Sequence, residues 1–206
     1  MRRRTSSSST TAGRYRHRVP AGLLLTGGAS RRLGFDKAEL RLDGERLADR
    51  AARVLAAVCD PVLEVGPGRS ALPAVADAEP GGGPLLALVS GADALAERGY
   101  EGPVLLLAVD LPFVTEALLT ELAGHPADTV VPFVGAEPQT CCARYGAVAV
   151  ETARRLAVEG ERSLRALLDA TPVTPLGLTG DRFPPHVLDD VDTPMGVERH
   201  GLEGPN

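Results

Sequence analysis

The chain has 206 residues, 44% of them hydrophobic, which is enough for the core of one α/β domain or at most two small ones. Residues 1–20 hold six arginines and no acid, so the remainder has 16 basic against 27 acidic side chains, a net charge of −11. A body this acidic, with 3% aromatic residues and no tryptophan, is a poor general nucleic-acid binder. No apolar run approaches the ~18 residues of a membrane span. The three cysteines have neither a zinc-binding nor a C-x-x-C spacing, which predicts that the protein is located in the reducing cytoplasm.

The first 20 residues are rich in arginine, serine and threonine, which predicts a disordered tail before a single domain over residues 21–200. Within that domain, short apolar runs alternate with segments of helical spacing. The expected strands are 21–26, 61–65, 73–76, 103–109, 129–134 and 140–144. Helices are expected from residue 47 to about 59, from 84 to about 98, from 115, over 146–158 and over 163–169, and residues 187–194 form the last expected ordered element. The alternation predicts a three-layer αβα sandwich with a mostly parallel, Rossmann-like sheet.

The first strand leads into a glycine-rich turn within LLLTGGASRRLGFDK, residues 23–37. Gly27 and Gly28 permit positive φ and close approach of a ligand, because neither carries a Cβ. Lys37 is the only lysine among 22 basic residues, which suggests a local need for its compact, rotatable ammonium group. A strand, such a turn and a helix together aim N–H groups at phosphates. The segment fits neither the P-loop nor the dinucleotide fingerprint, and an ordinary turn between strand and helix is the alternative.

Acidic residues follow the central strand and recur near the end of the chain. Asp110 comes directly after the apolar run 103–109, and Pro112 fixes the chain just beyond it. Mg²⁺ is usually held by one or two carboxylates together with substrate phosphates. Asp190 and Asp192 lie in a run of three acids within four residues, and one of them can complete a metal site with Asp110. The alternatives are a helix cap at Asp110 and a solvated acidic turn that begins a helix at D-T-P.

A second glycine cluster, Gly81–Gly83, precedes Pro84 at the first position of a predicted helix. Three glycines let the backbone approach a flat ligand such as a nucleobase, although a flexible loop has the same composition. Ligands of such sheets bind beyond the carboxyl ends of the strands. The Gly27-Gly28 turn, Asp77, this loop and Asp110 are therefore expected to converge on one cleft.

Taken in order, these segments resemble the MobA-type nucleotidyltransferase family, the molybdenum cofactor guanylyltransferases. The family's opening pattern, L-x-G-G-x-S-x-R-M-G-x-D-K, is matched from Leu25 to Lys37, with Leu33 in place of methionine. The other matches keep the family's order through residue 194. They are Gly83–Ala87 for the base-binding loop, Asp110–Pro112 for the metal-binding D-x-P, Gln139–Cys141 for Q-P-L and Asp190–Pro194 for N-x-N-T-P.

The resemblance implies a Mg-dependent nucleotidyltransferase that moves GMP from GTP to the phosphate of a molybdopterin-type acceptor and releases pyrophosphate. Molybdoenzyme-maturation proteins are further implied partners. The nucleotide-binding residues that the resemblance implies are Leu25, Thr26, Gly27, Gly28, Lys37, Asp77, Gly83, Pro84, Leu85 and Asp110. Lys37 and Asp110 would be catalytic, joined by Arg32 from its place in the glycine-rich turn, and Asp110 with Asp192 would hold the metal.

Departures from the family pattern leave the nucleotide and the acceptor open. Ala87 replaces a glycine near the base, residues 66–68 lie where the family often has asparagines, and Asp190 and Asp192 replace two asparagines. The D-x-D-T-P form is commoner among relatives that use other nucleotides. A CTP-using enzyme of the same fold, or one with another acceptor, is therefore an alternative. A GT-A-type glycosyltransferase with a D-x-D metal site and a non-catalytic nucleotide-binding protein are two more.

Overall fold

The computed structural model describes residues 19–27, 34–77, 79, 81–178 and 182–204. The predicted tail up to residue 18 lies outside these ranges, as do Gly28 and Arg32. The main sheet contains β1 (Ala21–Leu25), β4 (Val62–Val65), β5 (Ala74–Val75), β6 (Val104–Ala108), β7 (Val130–Val134), β8 (Glu137–Pro138), β9 (Cys142–Tyr145) and β10 (Thr174–Gly177). A separate hairpin pairs β2 (Arg41–Leu42) with β3 (Glu45–Arg46).

The helices follow the strands in the predicted alternation. They are α1 (Leu47–Ala56), α2 (Pro84–Glu97), α3 (Glu116–Gly124), α4 (Ala147–Val158), α5 (Leu164–Asp169) and α6 (Pro194–Arg199). A 3-10 helix, Lys37–Glu39, precedes the hairpin. None of the helices in the described ranges is both long enough and apolar enough to cross a bilayer.

The sheet order is β10-β7-β9-β6-β1-β4-β5, with β8 added to β7. Strands β6, β1, β4 and β5 run parallel to one another, and β9 runs antiparallel to both β6 and β7. Alternate residues of the central strands face opposite helical layers. Leu24 and Leu105 pack towards α1 and α3, whereas Leu23 and Leu106 pack towards α2 and α4. The predicted three-layer αβα sandwich with a mostly parallel sheet is confirmed.

The end of the chain differs from the expectation. Residues 187–193 form no regular element, and α6 follows them, so the expectation that residues 187–194 are the last ordered element is wrong. The Thr193 side chain accepts a hydrogen bond from the N–H of Gly196, and Pro194 occupies the first turn of α6. This pair is a standard helix start, because it satisfies a free N–H and needs no donor from proline. Strand β10 and the β2–β3 hairpin were not predicted either.

Close packing of α2 on the sheet fixes the direction in which that helix points. A Cβ at Gly91 would lie 2.5 Å from Leu23 Cδ1 and 2.9 Å from Val65 Cγ2, so glycine is required for this approach. The N-terminal end of α2 thereby reaches the edge of the sheet at which β1 and β6 end.

Candidate active site

A cavity of about 390 Å³ lies at the carboxyl ends of β1, β5 and β6. We call it the strand-end cavity. Residues from five separated parts of the chain line it: Leu25, Thr26 and Gly27 at the end of β1, Asp36 and Lys37 at the start of the 3-10 helix, Asp77 and the start of α2 with Gly83 and Pro84, Asp110 after β6, and Cys141 before β9. Parallel strands bring such distant segments together, because their carboxyl ends share one edge. The expected convergence on one cleft is confirmed for Gly27, Asp77, Gly83 and Asp110.

Some predicted site residues are placed elsewhere. Leu85 is fully buried in the core beneath α2, and its N–H donates to the Arg162 carbonyl, so neither its side chain nor its N–H faces the strand-end cavity. Asp192 lies beside the cavity rather than among the residues that line it, but it contacts Lys37. Gly28 and Arg32 lie outside the described residues.

Gly27 lines the strand-end cavity without using the conformational freedom of glycine. Its φ is not in the left-handed region, although the residue type permits that region. A Cβ on Gly27 would find no heavy atom nearer than Gly66 Cα at 4.0 Å. Neither backbone conformation nor packing requires glycine here. Leaving the wall open to a close-approaching ligand is the role that remains.

Lys37 is held between two carboxylates. Its Nζ lies 3.1 Å from Asp110 Oδ2 and also forms an ion pair with Asp192 Oδ1. The 3-10 helix that carries Lys37 begins at Asp36, whose Oδ1 accepts from the N–H of Ala38 at 3.0 Å. Burial acts to lower the pKa of Lys37, but the two carboxylates outweigh burial and raise the pKa above its ordinary value. The side chain is therefore a charged ammonium.

The main chain brings the C-terminal acids to Asp110. The N–H of Val191 donates to the Asp110 carbonyl at 3.0 Å, and the Val191 side chain is fully buried. Its neighbours Asp190 and Asp192 are thereby held near the end of β6. Burial, together with the negative charges of Asp192 and Asp110, raises the pKa of Asp190. Three carboxylates in this small space favour a cation among them.

The donor set fits Mg²⁺. Asp110 and Asp192 already direct carboxylate oxygens at one cation, the Lys37 ammonium. Hard oxygen donors of this kind suit Mg²⁺, which takes its other ligands from water and substrate phosphates. In the part of the chain that the structure describes, no group of three or more His, Cys, Asp or Glu side chains is arranged to hold a metal alone. Any metal here would take its remaining ligands from water and from substrate phosphates.

The start of α2 closes the other side of the strand-end cavity. Gly83 has a φ of 95°, and a Cβ on it would lie 2.8 Å from the Arg162 carbonyl oxygen. Pro84 occupies the first turn and needs no hydrogen-bond acceptor there. The fold therefore requires Gly83 whether or not a base binds beside it. Ala87, one turn along α2, also lines the cavity.

Sequence reasoning missed Glu64, in the middle of β4, whose side chain is fully buried. Its carboxylate accepts hydrogen bonds from the Thr26 hydroxyl, the Arg69 N–H at 2.6 Å, the Ser70 N–H at 2.8 Å and the Ser70 hydroxyl at 2.7 Å. We call these contacts the Glu64 network. A single acid inside the otherwise apolar run VLEV was the available signal, since a buried carboxylate needs partners. The network lies directly behind the wall of the strand-end cavity.

Comparison with known proteins finds a matching family model and similar sequences. A family model described as MobA-like NTP transferase domain matches residues 22–174. A relative from Chloroflexus aggregans, described as a probable molybdenum cofactor guanylyltransferase, is 36% identical over 167 residues, covering 75% of this chain and 78% of its own.

Two solved structures share the fold. Molybdopterin-guanine dinucleotide biosynthesis protein A from Archaeoglobus fulgidus has a TM-score of 0.69 at 21% identity, covering 87% of this chain and 96% of its own. The 2-C-methyl-D-erythritol 4-phosphate cytidylyltransferase from Thermus thermophilus has a TM-score of 0.61 at 16% identity, covering 86% and 95%. At these identities the likeness concerns the fold alone.

The Glu64 carboxylate contributes stability that depends on pH. Burial acts to raise its pKa, but hydrogen bonds from Ser70, Thr26 and the Arg69 N–H outweigh burial and hold the pKa below the ordinary value of 4.5. Glu64→Gln should therefore lower Tm at pH 7, and the difference from the unsubstituted protein should shrink as the pH falls from about 4.5 through the folded-state pKa. Thermal unfolding followed by circular dichroism between pH 7 and pH 3 measures it.

The matched control is Glu159→Gln, which changes a half-exposed acid paired with Arg155 on α4. Its Tm should stay close to that of the unsubstituted protein across the same range, because exposed pairs contribute little. A Glu64→Gln difference that keeps the same size from pH 7 to pH 3 would show that ionisation of Glu64 does not stabilise the fold.

Proposed function

Because the chain is a nucleotidyltransferase of the MobA-like NTP transferase family, we propose that it transfers GMP from GTP to the phosphate of a molybdopterin-type acceptor. One observation carries the proposal. An ammonium group on the 3-10 helix and a carboxylate after β6, Lys37 and Asp110, meet 3.1 Å apart at one cavity. The relative from Chloroflexus aggregans, described as a probable molybdenum cofactor guanylyltransferase, supports the choice of nucleotide and acceptor.

The chemistry follows from charge and position. An oxygen of the acceptor phosphate forms a bond to the α-phosphorus of GTP, the bond from that phosphorus to the bridging oxygen breaks, and pyrophosphate leaves. A phosphate monoester is largely dianionic at neutral pH, so its oxygen attacks without a strong general base. None of the described residues lining the strand-end cavity is a histidine, in keeping with that requirement. Positioning and charge neutralisation are then the main sources of rate.

Each part of the strand-end cavity has a role in this proposal. Lys37 binds the phosphates, and the backbone after β1 approaches them at Thr26 and Gly27. Asp77 and the start of α2, at Gly83 and Pro84, face the nucleoside. Asp110 and Asp192 would hold Mg²⁺, which when bound supplies positive charge to the phosphate oxygens.

Further parts of the proposal rest on the sequence and the family. We propose that Arg32 offsets charge on the departing pyrophosphate and that Gly28 approaches the phosphates closely. Leu85 then supports the base-binding turn from the core instead of touching the nucleotide. The reaction takes place in the cytoplasm, within a single domain spanning residues 21–200, and molybdoenzyme-maturation proteins receive the product.

A CTP-using transferase of the same fold is the second candidate. Ala87, which lines the strand-end cavity, stands where the resembled family has a glycine, and Asp190 and Asp192 stand for two asparagines. Incubation with Mg²⁺, molybdopterin and each of GTP, CTP, ATP and UTP, followed by pyrophosphate measurement, separates the two. Pyrophosphate formed mainly from GTP supports guanylyl transfer, and pyrophosphate formed mainly from CTP replaces it with cytidylyl transfer. Nucleoside diphosphate in place of pyrophosphate would overturn both.

Removing the charged group of either Lys37 or Asp110 should slow the reaction strongly. Lys37→Ala and Asp110→Ala are each expected to lower kcat/KM by at least about 10²-fold, the usual loss when one preorganised electrostatic contact is removed. The control is Arg155→Ala, which removes a largely exposed cation of α4 and should leave kcat/KM unchanged. Near-normal turnover of either cavity variant would remove that residue from the mechanism.

In the absence of nucleotide, substitution of Lys37 should raise the affinity for a metal ion, and substitution of Asp110 should lower it. Lys37→Met removes a positive charge that competes for Asp110 and Asp192, so Mn²⁺ should bind at least about tenfold more tightly, in keeping with charge interactions at this range. Asp110→Asn removes a ligand and should weaken binding. Electron paramagnetic resonance of free Mn²⁺ measures both affinities. Equal affinities for the three proteins would show that these carboxylates do not bind the ion.

A further inference from the structure

In the Glu64 network a buried carboxylate is surrounded by hydrogen-bond donors of nearby residues. Glu64 itself lies outside the strand-end cavity, with a side chain that is fully buried. Its two oxygens accept four hydrogen bonds from Thr26, Arg69 and Ser70. A carboxylate accepting several such bonds keeps its charge even where solvent is excluded. Its charge therefore holds the groups that surround it in fixed positions.

One arm of the Glu64 network leads to the start of the glycine-rich turn. The Thr26 hydroxyl donates to Glu64 Oε1, and the Thr26 N–H donates to the Val65 carbonyl at 3.2 Å. Both groups of Thr26 are therefore tied to β4. A Cβ on Gly66 would lie 2.3 Å from Thr26 Oγ1 and 2.9 Å from the Gly27 nitrogen, so only glycine leaves room for this arrangement. The position of Gly27 on the cavity wall follows from these contacts.

The other arm leads to Lys37. The Arg69 N–H donates to Glu64, and the Arg69 guanidinium Nε lies 2.7 Å from Asp36 Oδ2. The other oxygen of Asp36 accepts from the Ala38 N–H and so begins the 3-10 helix that carries Lys37. Arg46 strengthens the connection, because its guanidinium donates to the Arg69 carbonyl at 3.1 Å and pairs with Glu39 of the same 3-10 helix at 3.0 Å.

We propose that Glu64 is a positioning residue that fixes the two ends of the glycine-rich turn, at Thr26 and Asp36, relative to each other. The inference rests on the proposed function and extends it to a residue that touches no substrate. Through Thr26 it sets the backbone that faces the phosphates, and through Arg69 and Asp36 it sets the 3-10 helix that bears Lys37. A displacement of about 1 Å between such groups is enough to reduce rate or affinity substantially.

The negative charge is essential to this role, because a neutral amide cannot serve all four donors. Gln at position 64 would present one oxygen and one N–H₂ group. Whichever way it turned, its N–H₂ would face the N–H of either Arg69 or Ser70, which both donate to the carboxylate. One of these two N–H groups would lose its acceptor, and the loop 66–70 would shift to find another.

The experiment measures the Kd of GTP without acceptor by calorimetry, together with KM and kcat from pyrophosphate release. Glu64→Gln should raise the Kd and KM of the nucleotide by about tenfold or more and lower kcat less, since ground-state alignment is lost first. Arg69→Met breaks only the arm to Asp36 and should raise KM by about two- to fivefold, the range for a partly exposed ion pair. Glu64→Gln combined with Arg69→Met should be no worse than Glu64→Gln alone, because both act through one connection.

The control is Leu95→Ala, a cavity-forming change near the C-terminal end of α2, away from the strand-end cavity. It should lower Tm while leaving nucleotide Kd and KM unchanged. Unchanged Kd and KM in a folded Glu64→Gln would overturn the inference, and so would equal rises in Glu64→Gln and Leu95→Ala. If Glu64→Gln does not fold, the inference stands or falls on whether Arg69→Met raises KM. An unsubstituted protein that binds and turns over none of the four nucleotides overturns the proposed function instead.

Discussion

The charge balance around the Lys37 ammonium is the interaction on which the strand-end cavity depends. Asp110 and Asp192 come from parts of the chain 82 residues apart, yet both contact the same nitrogen. Two carboxylates placed this close would repel each other, and at protein-surface dielectric the repulsion is several kcal/mol, so a cation must accompany them. A backbone hydrogen bond brings the carboxylates together: the Val191 N–H donates to the Asp110 carbonyl, and the buried Val191 side chain anchors the segment. The lysine then offsets part of the negative charge that this packing creates.

The position of Asp110 depends in turn on β6. This strand lies between β1 and β9, and its leucines are buried on both faces, so its end is fixed by two ladders of hydrogen bonds and by both helical layers. A charged group placed directly after such a strand moves little. The glycine-rich turn is supported differently, through β4 and the Glu64 network, because its own sequence is short of side chains that can pack. The apolar core positions the carboxylate, and polar contacts position the turn that faces it.

The sequence predicted the features that local patterns encode. Apolar runs predicted the core strands, and the rule that ligands bind beyond strand ends brought Asp77 and Asp110 to one cavity. It did not predict β10, where exposed and half-buried residues alternate around Pro175 at the edge of the sheet, because edge strands lack the continuous apolar run. It did not predict the contacts of Glu64 either, since hydrogen bonds to Thr26 and Arg69 depend on how β1 and β4 pair. Such contacts depend on the register in which distant strands pair, and the sequence of a single segment does not determine that register.

Glu64 and the pair Asp110–Asp192 show two different ways of keeping negative charge in a folded chain. The charge of Glu64 is balanced by hydrogen-bond donors fixed in its own surroundings, and these donors cannot leave without rearranging the loop that holds them. The charge of Asp110 and Asp192 is balanced in part by the Lys37 ammonium, which is carried on four rotatable methylene groups. The first arrangement suits a scaffold, because its geometry is permanent. Under the proposed function the second suits a reaction centre, because a polyphosphate with its metal would take over the partners that the lysine and the two carboxylates find in each other.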